Sequence, residues 1–291
     1  MTPNEIVHAE KAHFGVKELC RAAGASRSGY YAWAKRQRAS RALSDERLLV
    51  EIRAIYKRKR RRYGSPRVYN ELKARGVRTS EKRVARLMRQ DGLIARRKRR
   101  FRRTTNSNHK HPIAPNLLEQ NFTASEPNRV WVGDITYVWT LQGWLYVAVL
   151  IDLYSRRVVG WAASRRITRE LALRALAMAV ARRGPPRGLI HHTDRGSQYA
   201  SGDYQDALRQ HGMVCSMSGK GNCFDNAVAE SFFATLKKEL VHRRIFFTRE
   251  QATRELADYI EHFYNAERSH SAIGYLSPIY YELFNQAALA A

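Results

Sequence analysis

Cysteine is scarce in this chain. The three present in 291 residues, Cys20, Cys215 and Cys223, are odd in number and none has CxxC spacing. A disulfide framework and a cysteine-based zinc site are both excluded. His109 and His111 lack the downstream cysteines that a His2Cys2 zinc module needs. Long apolar runs are also missing: the longest, Leu145 to Ile151, is too short to cross a bilayer. No signal peptide is recognisable. A cytoplasmic chain with no membrane partner is therefore expected. The third shortage is acid, with 26 Asp+Glu against 52 Lys+Arg and a formal charge of +26.

The charge is unevenly spread. Residues 1–115 hold 32 basic and 9 acidic side chains, whereas residues 116–291 hold 20 and 17. A polyanion-binding front part joined to a nearly neutral catalytic or scaffold part fits this asymmetry. A charged tail kept for solubility fits it less well, because the front part also carries helical apolar periodicity.

Residues 16–36 predict two short helices around Ala23-Gly24-Ala25, the second capped by Ser26 or Ser28. They form either a helix-turn-helix or a structural hairpin. Over residues 45–94 the pattern is stronger. Asp45 is expected to cap a helix with Leu48, Leu49, Ile52 and Ile55 on one stripe, and the basic run 57–62 to extend its C-terminal end. Ser65-Pro66 opens a second helix that Gly76 ends. Ser80 and Glu81 open a third that Asp91-Gly92 closes. This is a helix-turn-helix plan with Lys82, Arg83, Arg86 and Arg89 placed to face DNA; a solvated basic bundle is the alternative. Residues 96–127, basic and then polar with Pro112 and Pro115, lose all periodicity and predict a linker.

From 128 onward strands and helices alternate. RVWVGDITYV has apolar residues on both faces, as a central buried strand does. Two further strands, Gly143 to Leu150 and Arg157 to Ala162, follow as a meander, then an Ala/Leu-rich helix ended by Gly184, a strand GLIHHTD, a helix, and a short strand in MVCSMS. The expected fold is α/β, a five-stranded mixed sheet with helices in the ribonuclease-H-like arrangement, preceded by a small all-α region. The domain plan is 1–44 helical, 45–95 DNA-binding, 96–127 linker, and 128–291 catalytic core with a C-terminal helical extension.

Three acids stand out on these elements. Asp134 lies mid-strand in an apolar run, where an unpaired carboxylate is expensive unless a cation meets it. Asp194 lies at a strand's C-terminal end, the usual ligand side of an α/β sheet. Glu230 lies in the first turns of an amphipathic helix, with Asp225 as its expected N-cap. Asn226, Glu230, Ala234 and Lys237 share one face of that helix, and Val228, Phe232, Leu236 and Leu240 anchor the other. Carboxylates from three elements suit divalent metal ions and phosphodiester chemistry, and Lys237 is positioned to meet a DNA phosphate.

VWVGDITYV, IDLYSRRVVGW, HHTDRGSQYAS, KGNCFDNAVAESFFATLKKEL and HSAIGYLSP together resemble the integrase-type core of bacterial insertion-sequence transposases, most nearly the OrfB chain of the IS three family. The resemblance covers about residues 45–285 and includes thirty-five residues between Asp194 and Glu230. It implies that Asp134, Asp194 and Glu230 form a catalytic triad holding two Mg2+ or Mn2+ ions. It implies a substrate of DNA with terminal inverted repeats, a target DNA, movement through a circular intermediate, and assembly as a dimer or larger. In the family an upstream OrfA part with its own helix-turn-helix and leucine zipper is joined to OrfB by frameshifting. This chain shows no zipper, so an OrfA product or an OrfA–OrfB fusion is an expected partner. A non-catalytic DNA-binding regulator and a metal-dependent nuclease that cuts without joining are the rival readings.

Neighbouring residues carry a plain reading beside a functional one. Asp152 either stabilises a turn or joins the metals. His191 and His192 either pack or approach the site. Arg195 and Gln198 are candidates for substrate contact. Gly219, Gly221 and Asn222 form a loop before the catalytic helix. A helix capped by Thr248 with Gln251 precedes Tyr264, Asn265, Arg268 and His270, which either touch DNA or dock that helix.

Overall fold

The computed structural model describes residues 1–35, 40–93, 112–219 and 223–290. The chain divides into two compact units, Met1–Ala95 and Arg96–Ala291. The basic run 96–103, the His109 and His111 pair, and Gly221 with Asn222 lie outside the described residues.

The first unit is all-helical. Helices α1 (Pro3–Glu10), α2 (Val16–Ala22) and α3 (Arg27–Lys35) pack on one another around Val7, Cys20 and Tyr30. Helix α1 was not expected, although Thr2 and Glu5 form the capping box that announces it: Thr2 N donates to Glu5 Oε2 at 2.6 Å, and Glu5 N to Thr2 Oγ1 at 3.4 Å. Of the two expected caps for α3, Ser26 serves, accepting from Gly29 N at 3.0 Å.

Helices α4 (Ser40–Arg58), α5 (Ser65–Ala74) and α6 (Glu81–Gln90) form a second triplet. Ile52, Ile55, Val68, Leu72, Val84, Leu87 and Met88 bury its apolar faces. Ser80 caps α6 through Arg83 N at 3.3 Å. Three expectations are corrected here. Asp45 lies inside α4, not at its start, and binds arginines of α6. Gly64, not Ser65, is the N-cap of α5. The basic run prolongs α4 only through Lys57 and Arg58, its last turn: Arg60 and Arg61 then take left-handed backbone with φ of 50° and 59°, and Lys59 and Arg62 are buried.

The second unit is built on a five-stranded sheet of order β3-β2-β1-β4-β5. Its strands are β1 (Val130–Thr140), β2 (Gly143–Asp152), β3 (Val158–Ser164), β4 (Ile190–Thr193) and β5 (Val214–Met217). β1, β2 and β3 are antiparallel neighbours, while β4 and β5 run parallel to β1. Helices α7 (Arg169–Arg183) and α8 (Gly202–Gln210) make the crossovers, and Gly184 in left-handed backbone ends α7. Trp131, Leu150, Val159, Leu171, Leu176 and Tyr204 belong to the core between sheet and helices. At Gly160 a Cβ would stand 2.3 Å from Ala175 O, so the glycine is what lets α7 lie this close to β3.

Helix α9 (Ala227–Glu239) packs on β1, followed by α10 (Arg249–Ala257), π-helical turns at Asp258–Asn265, and α11 (Pro278–Ala290). Asn265 docks these turns on the edge strand: its side-chain amide accepts from Val158 N at 2.9 Å and donates to Val158 O at 3.0 Å, standing in for a strand neighbour at the β-bulge. Thr248 caps α10 through Gln251 N at 3.0 Å.

Within the expected linker, the segment after residue 111 is docked. Met217 N donates to Pro115 O at 3.2 Å, Leu117 N donates to Ser216 Oγ at 2.9 Å, and Leu118 is buried. The segment covers the outer edge of β5, which would otherwise stand unpaired.

Candidate active site

The strand register brings the aspartates together. β1 and β4 pair in parallel up to Gly133 opposite Thr193, so Asp134 and Asp194 follow at adjacent positions on neighbouring strands. β4 ends there. From Asp134 to Thr140, β1 has a ladder partner among the described residues on its β2 side alone, and α9 lies against this strand. Gly133 keeps the approach tight, since a Cβ there would meet the His191 ring at 3.0 Å.

Glu230 sits in the first turn of α9. The N-cap of that helix is Asn226, whose Nδ2 donates to Gly133 O at 3.3 Å and ties the helix start to the residue before Asp134. Asp225 is not the cap. It is buried in the preceding 3-10 turn and accepts from Gly219 N at 2.7 Å, Asn116 Nδ2 at 3.1 Å and Gln120 Nε2 at 3.3 Å. Phe232, Leu236 and Leu240 anchor the far face as expected, while Val228 is only half-buried.

The three carboxylates are linked electrostatically. Burial holds the Asp134 carboxyl well above its ordinary range, with Asp194 and then Glu230 pushing it the same way and Lys237 opposing them. Asp134 Oδ1 accepts from Ile135 N at 2.7 Å, and Asp194 Oδ1 from Gly196 N at 3.0 Å. Burial raises Glu230 as well. No three His, Cys, Asp or Glu side chains among the described residues share a single metal-sized position; the coupling runs pairwise, from Asp134 to each of the other two. An all-oxygen donor set whose members repel one another fits hard divalent cations.

Lys237 belongs to this group, its Nζ 4.6 Å above the centroid of Tyr137 on β1. Burial lowers its pKa and Asp134 resists that shift. Tyr199 was not expected. Its hydroxyl is buried with no hydrogen-bond partner in the described structure. Burial first, then Tyr204, Asp134 and Asp194, hold it well above the usual phenol range. It is therefore a protonated O–H that feels the charge of both aspartates. Its place five residues after Asp194 was visible in HHTDRGSQYAS, but nothing local distinguishes it from a core tyrosine.

Several other candidates have structural duties. His191 and His192 are fully buried, paired with Tyr204 Oη at 2.8 Å and Ser216 Oγ at 2.8 Å. Burial pushes His191 down to about 3, so it is neutral. Arg195 Nε donates to Ser218 O at 2.5 Å, and Gln198 is half-buried beside it in sequence. Asp152 makes the turn, accepting from Tyr154 N at 2.9 Å and Asn128 N at 2.8 Å. Arg268 is buried in an ion pair with Glu239, and His270 stacks edge-on against Tyr264 at 4.7 Å. In the first unit Asp45 holds Arg83 at 2.6 Å and Arg86 at 2.5 Å, while Lys82 and Arg89 are exposed.

A five-stranded sheet of this order with helices against it is an integrase-type core, and the matches that follow make the chain a polynucleotidyl transferase of the DDE type. The Integrase core domain model matches residues 124–223, a second Integrase core domain model matches 211–278, and an HTH-like domain model matches 44–101. The chain is 45% identical over 284 residues to the transposase InsF of insertion sequence IS3A from Escherichia coli strain K12, covering 97% of this chain and 99% of that one. It is 47% identical over 271 residues to an uncharacterized 31 kDa protein of insertion element IS600 from Shigella sonnei, covering 93% and 100%. Among solved structures, a simian T-cell lymphotropic virus intasome superposes with a TM-score of 0.47 at 17% identity, over 79% of this chain and 73% of that one. The protein belongs to the IS3 family of insertion-sequence transposases.

Proposed function

We propose that the protein cuts DNA at the ends of its insertion element and joins the resulting 3′-hydroxyl to new DNA. The observation that supports this reading is the register that puts Asp134 and Asp194 one position beyond the Gly133–Thr193 pair, with Glu230 in the first turn of the helix packed on the same strand. Mg2+ or Mn2+, two ions held by Asp134, Asp194 and Glu230, would supply Lewis-acid chemistry, lowering the pKa of the attacking oxygen and stabilising the leaving one.

The chain's own residues do the rest. Lys237 neutralises phosphate charge beside the carboxylates, in a half-buried position where a cation acts more strongly than in water. The Tyr199 hydroxyl, buried without a partner among the described residues, is a donor available to a water or substrate oxygen bound beside the aspartates. Asn226 fixes the start of α9 against Gly133, which sets where Glu230 reaches. Arg195 and Gln198 border the site on the Asp194 side and contact the substrate strand. Lys82, Arg83, Arg86 and Arg89 bring the inverted repeat to the chain through the helix-turn-helix unit, with an OrfA segment completing end recognition and at least two copies pairing two ends.

A strand-transfer assay with a pre-cut 3′-hydroxyl end, target DNA and Mg2+ tests this. Joined product that disappears in Asp194→Asn supports the reading. Cutting without joining points to a nuclease. Binding without any product, in a chain supplied with its OrfA segment, points to a regulator.

A further inference from the structure

An aromatic ribbon leads away from the carboxylates along the β1–β2 hairpin. It starts at Lys237, whose Nζ caps the Tyr137 ring. Tyr137 meets Trp144 edge-to-face, with centroids 4.9 Å apart, and Trp144 meets Trp139 in the same way at 4.7 Å. The two tryptophans stand well out of the core, Trp139 53% and Trp144 42% exposed, with Leu141 at the turn 61% exposed. Folding alone does not call for large apolar surface at a hairpin tip, where polar turn residues serve as well.

The tip is braced. Leu141 N donates to Phe246 O at 2.9 Å, Arg249 N to Gln142 Oε1 at 3.0 Å, and Arg249 Nε to Trp144 O at 3.0 Å. A fixed pair of indoles set edge-to-face leaves ring faces open, and cations bound the ribbon at both ends, Lys237 at one and Arg249 at the other. Indole faces flanked by cations suit nucleobases on a phosphate backbone. A second copy of the chain fits less well, because a two-fold contact through this face would oppose its own basic residues to themselves. Asp134 and Trp139, five apart, leave opposite faces of the strand over a rise of roughly 17 Å, and Lys237, which interacts with Asp134 and caps Tyr137, joins the carboxylates to the aromatic face.

We propose that the β1–β2 hairpin tip is a stacking platform for unpaired DNA bases next to the end held at the carboxylates, with Trp139 and Trp144 as the stacking rings. The proposal rests on the reading of the protein as a DNA-end-processing transposase.

The test uses the full chain and two duplexes of equal length, one fully paired and one ending in a short single-stranded overhang that carries 2-aminopurine. The wild type binds the overhang more tightly, by about tenfold for each stacked base, and quenches the 2-aminopurine fluorescence. The double variant Trp139→Ala, Trp144→Ala loses both effects yet binds the paired duplex as before, and Trp144→Phe, which keeps a ring, retains part of the preference. Equal binding of the two duplexes by the wild type overturns the proposal, as does an overhang preference that survives the double variant. A double variant that instead changes sedimentation, with the preference intact, makes the face a subunit contact and also overturns it. If the wild type binds neither duplex, the reading of the protein as DNA-processing falls together with the platform. Retained duplex binding without the preference removes the platform alone.

Discussion

Glu239 and Arg268 meet in a buried two-point ion pair, Arg268 Nε 3.0 Å from Glu239 Oε2 and Arg268 Nη2 3.0 Å from Oε1, with both side chains nearly inaccessible. Tyr259 Oη donates to the same carboxylate at 2.9 Å. The pair fastens the end of α9 to the segment after the π-helical turns and so supports the helix that carries Glu230. Removing one partner leaves a buried charge uncompensated. Arg268→Ala is expected to cost about 3–5 kcal/mol, while Glu239→Gln with Arg268→Met costs clearly less. Urea unfolding of the three proteins measures this. Equal losses would mean that the charge is not what matters.

Asp152 gives the core a pH dependence of definite sign. Burial raises its carboxyl from the usual value to about 6, against the pull of two backbone N–H donors and Arg183. The folded chain therefore holds a proton that the unfolded chain releases near pH 4. The contribution of Asp152 is greatest below that point and falls as pH rises through about 6, by about 3 kcal/mol in all. Glu282 acts oppositely: burial would raise it, but Arg183, Ser155 and Arg157 overcome that and hold it low. Its contribution is present above the ordinary glutamate range and lost as pH falls below it. In Asp152→Asn the decline between pH 4 and 6 should flatten, even though one N–H acceptor is lost. Denaturant titrations across that window settle the point.

Basic residues of α6 should separate into two groups. Arg83 and Arg86 are tied to Asp45, whereas Lys82 and Arg89 are exposed. Alanine at Lys82 or Arg89 should weaken DNA binding and reduce the log–log salt slope by about 0.9 for each phosphate left without its cation. Alanine at Arg83 or Arg86 should first cost stability, about 0.5 kcal/mol for such a partly exposed pair. Gel shifts at graded salt, with thermal unfolding alongside, distinguish the groups.

Replacing Asp134 should stabilise the metal-free chain while abolishing its reaction. Two neighbouring carboxylates and burial all oppose its charge, so Asp134→Asn removes a repulsion along with a ligand. The gain should appear as a higher melting temperature of the variant in the absence of metal. Added Mg2+ should raise the melting temperature of the wild type more than that of the variant. A variant that melts lower than wild type without metal would contradict this account.

The strands, the two crossover helices and the three acids were legible because period and apolar runs are local signals. Ser80 and Thr248 were legible because a cap announces itself within four residues. What escaped was long-range. Asp45 looked like a cap because its partners Arg83 and Arg86 lie 38 and 41 positions away. Asp225 looked like another, although its donors come from Asn116 and Gln120 far upstream. The residues after 111 looked like a linker because a segment held by backbone bonds to an edge strand needs no pattern. In Asn265, an amide serving as a strand neighbour leaves no trace in the composition around it.

Glu282 lies 125 residues after Arg157 and 99 after Arg183, yet it holds them at 2.7 Å and 2.9 Å and accepts from Ser155 Oγ at 2.7 Å. These partners flank the β2–β3 turn and the end of α7. A ribosome that has made the sheet, both crossovers and all three acids has still not released the carboxylate that neutralises those arginines. Contacts of such sequence separation carry a large loop-closure cost that the ion pairs must offset. The last helix of the chain thus supplies the counter-charge for a corner of the sheet made more than a hundred residues earlier, and a chain cut before α11 loses that carboxylate from Ser155, Arg157 and Arg183 together.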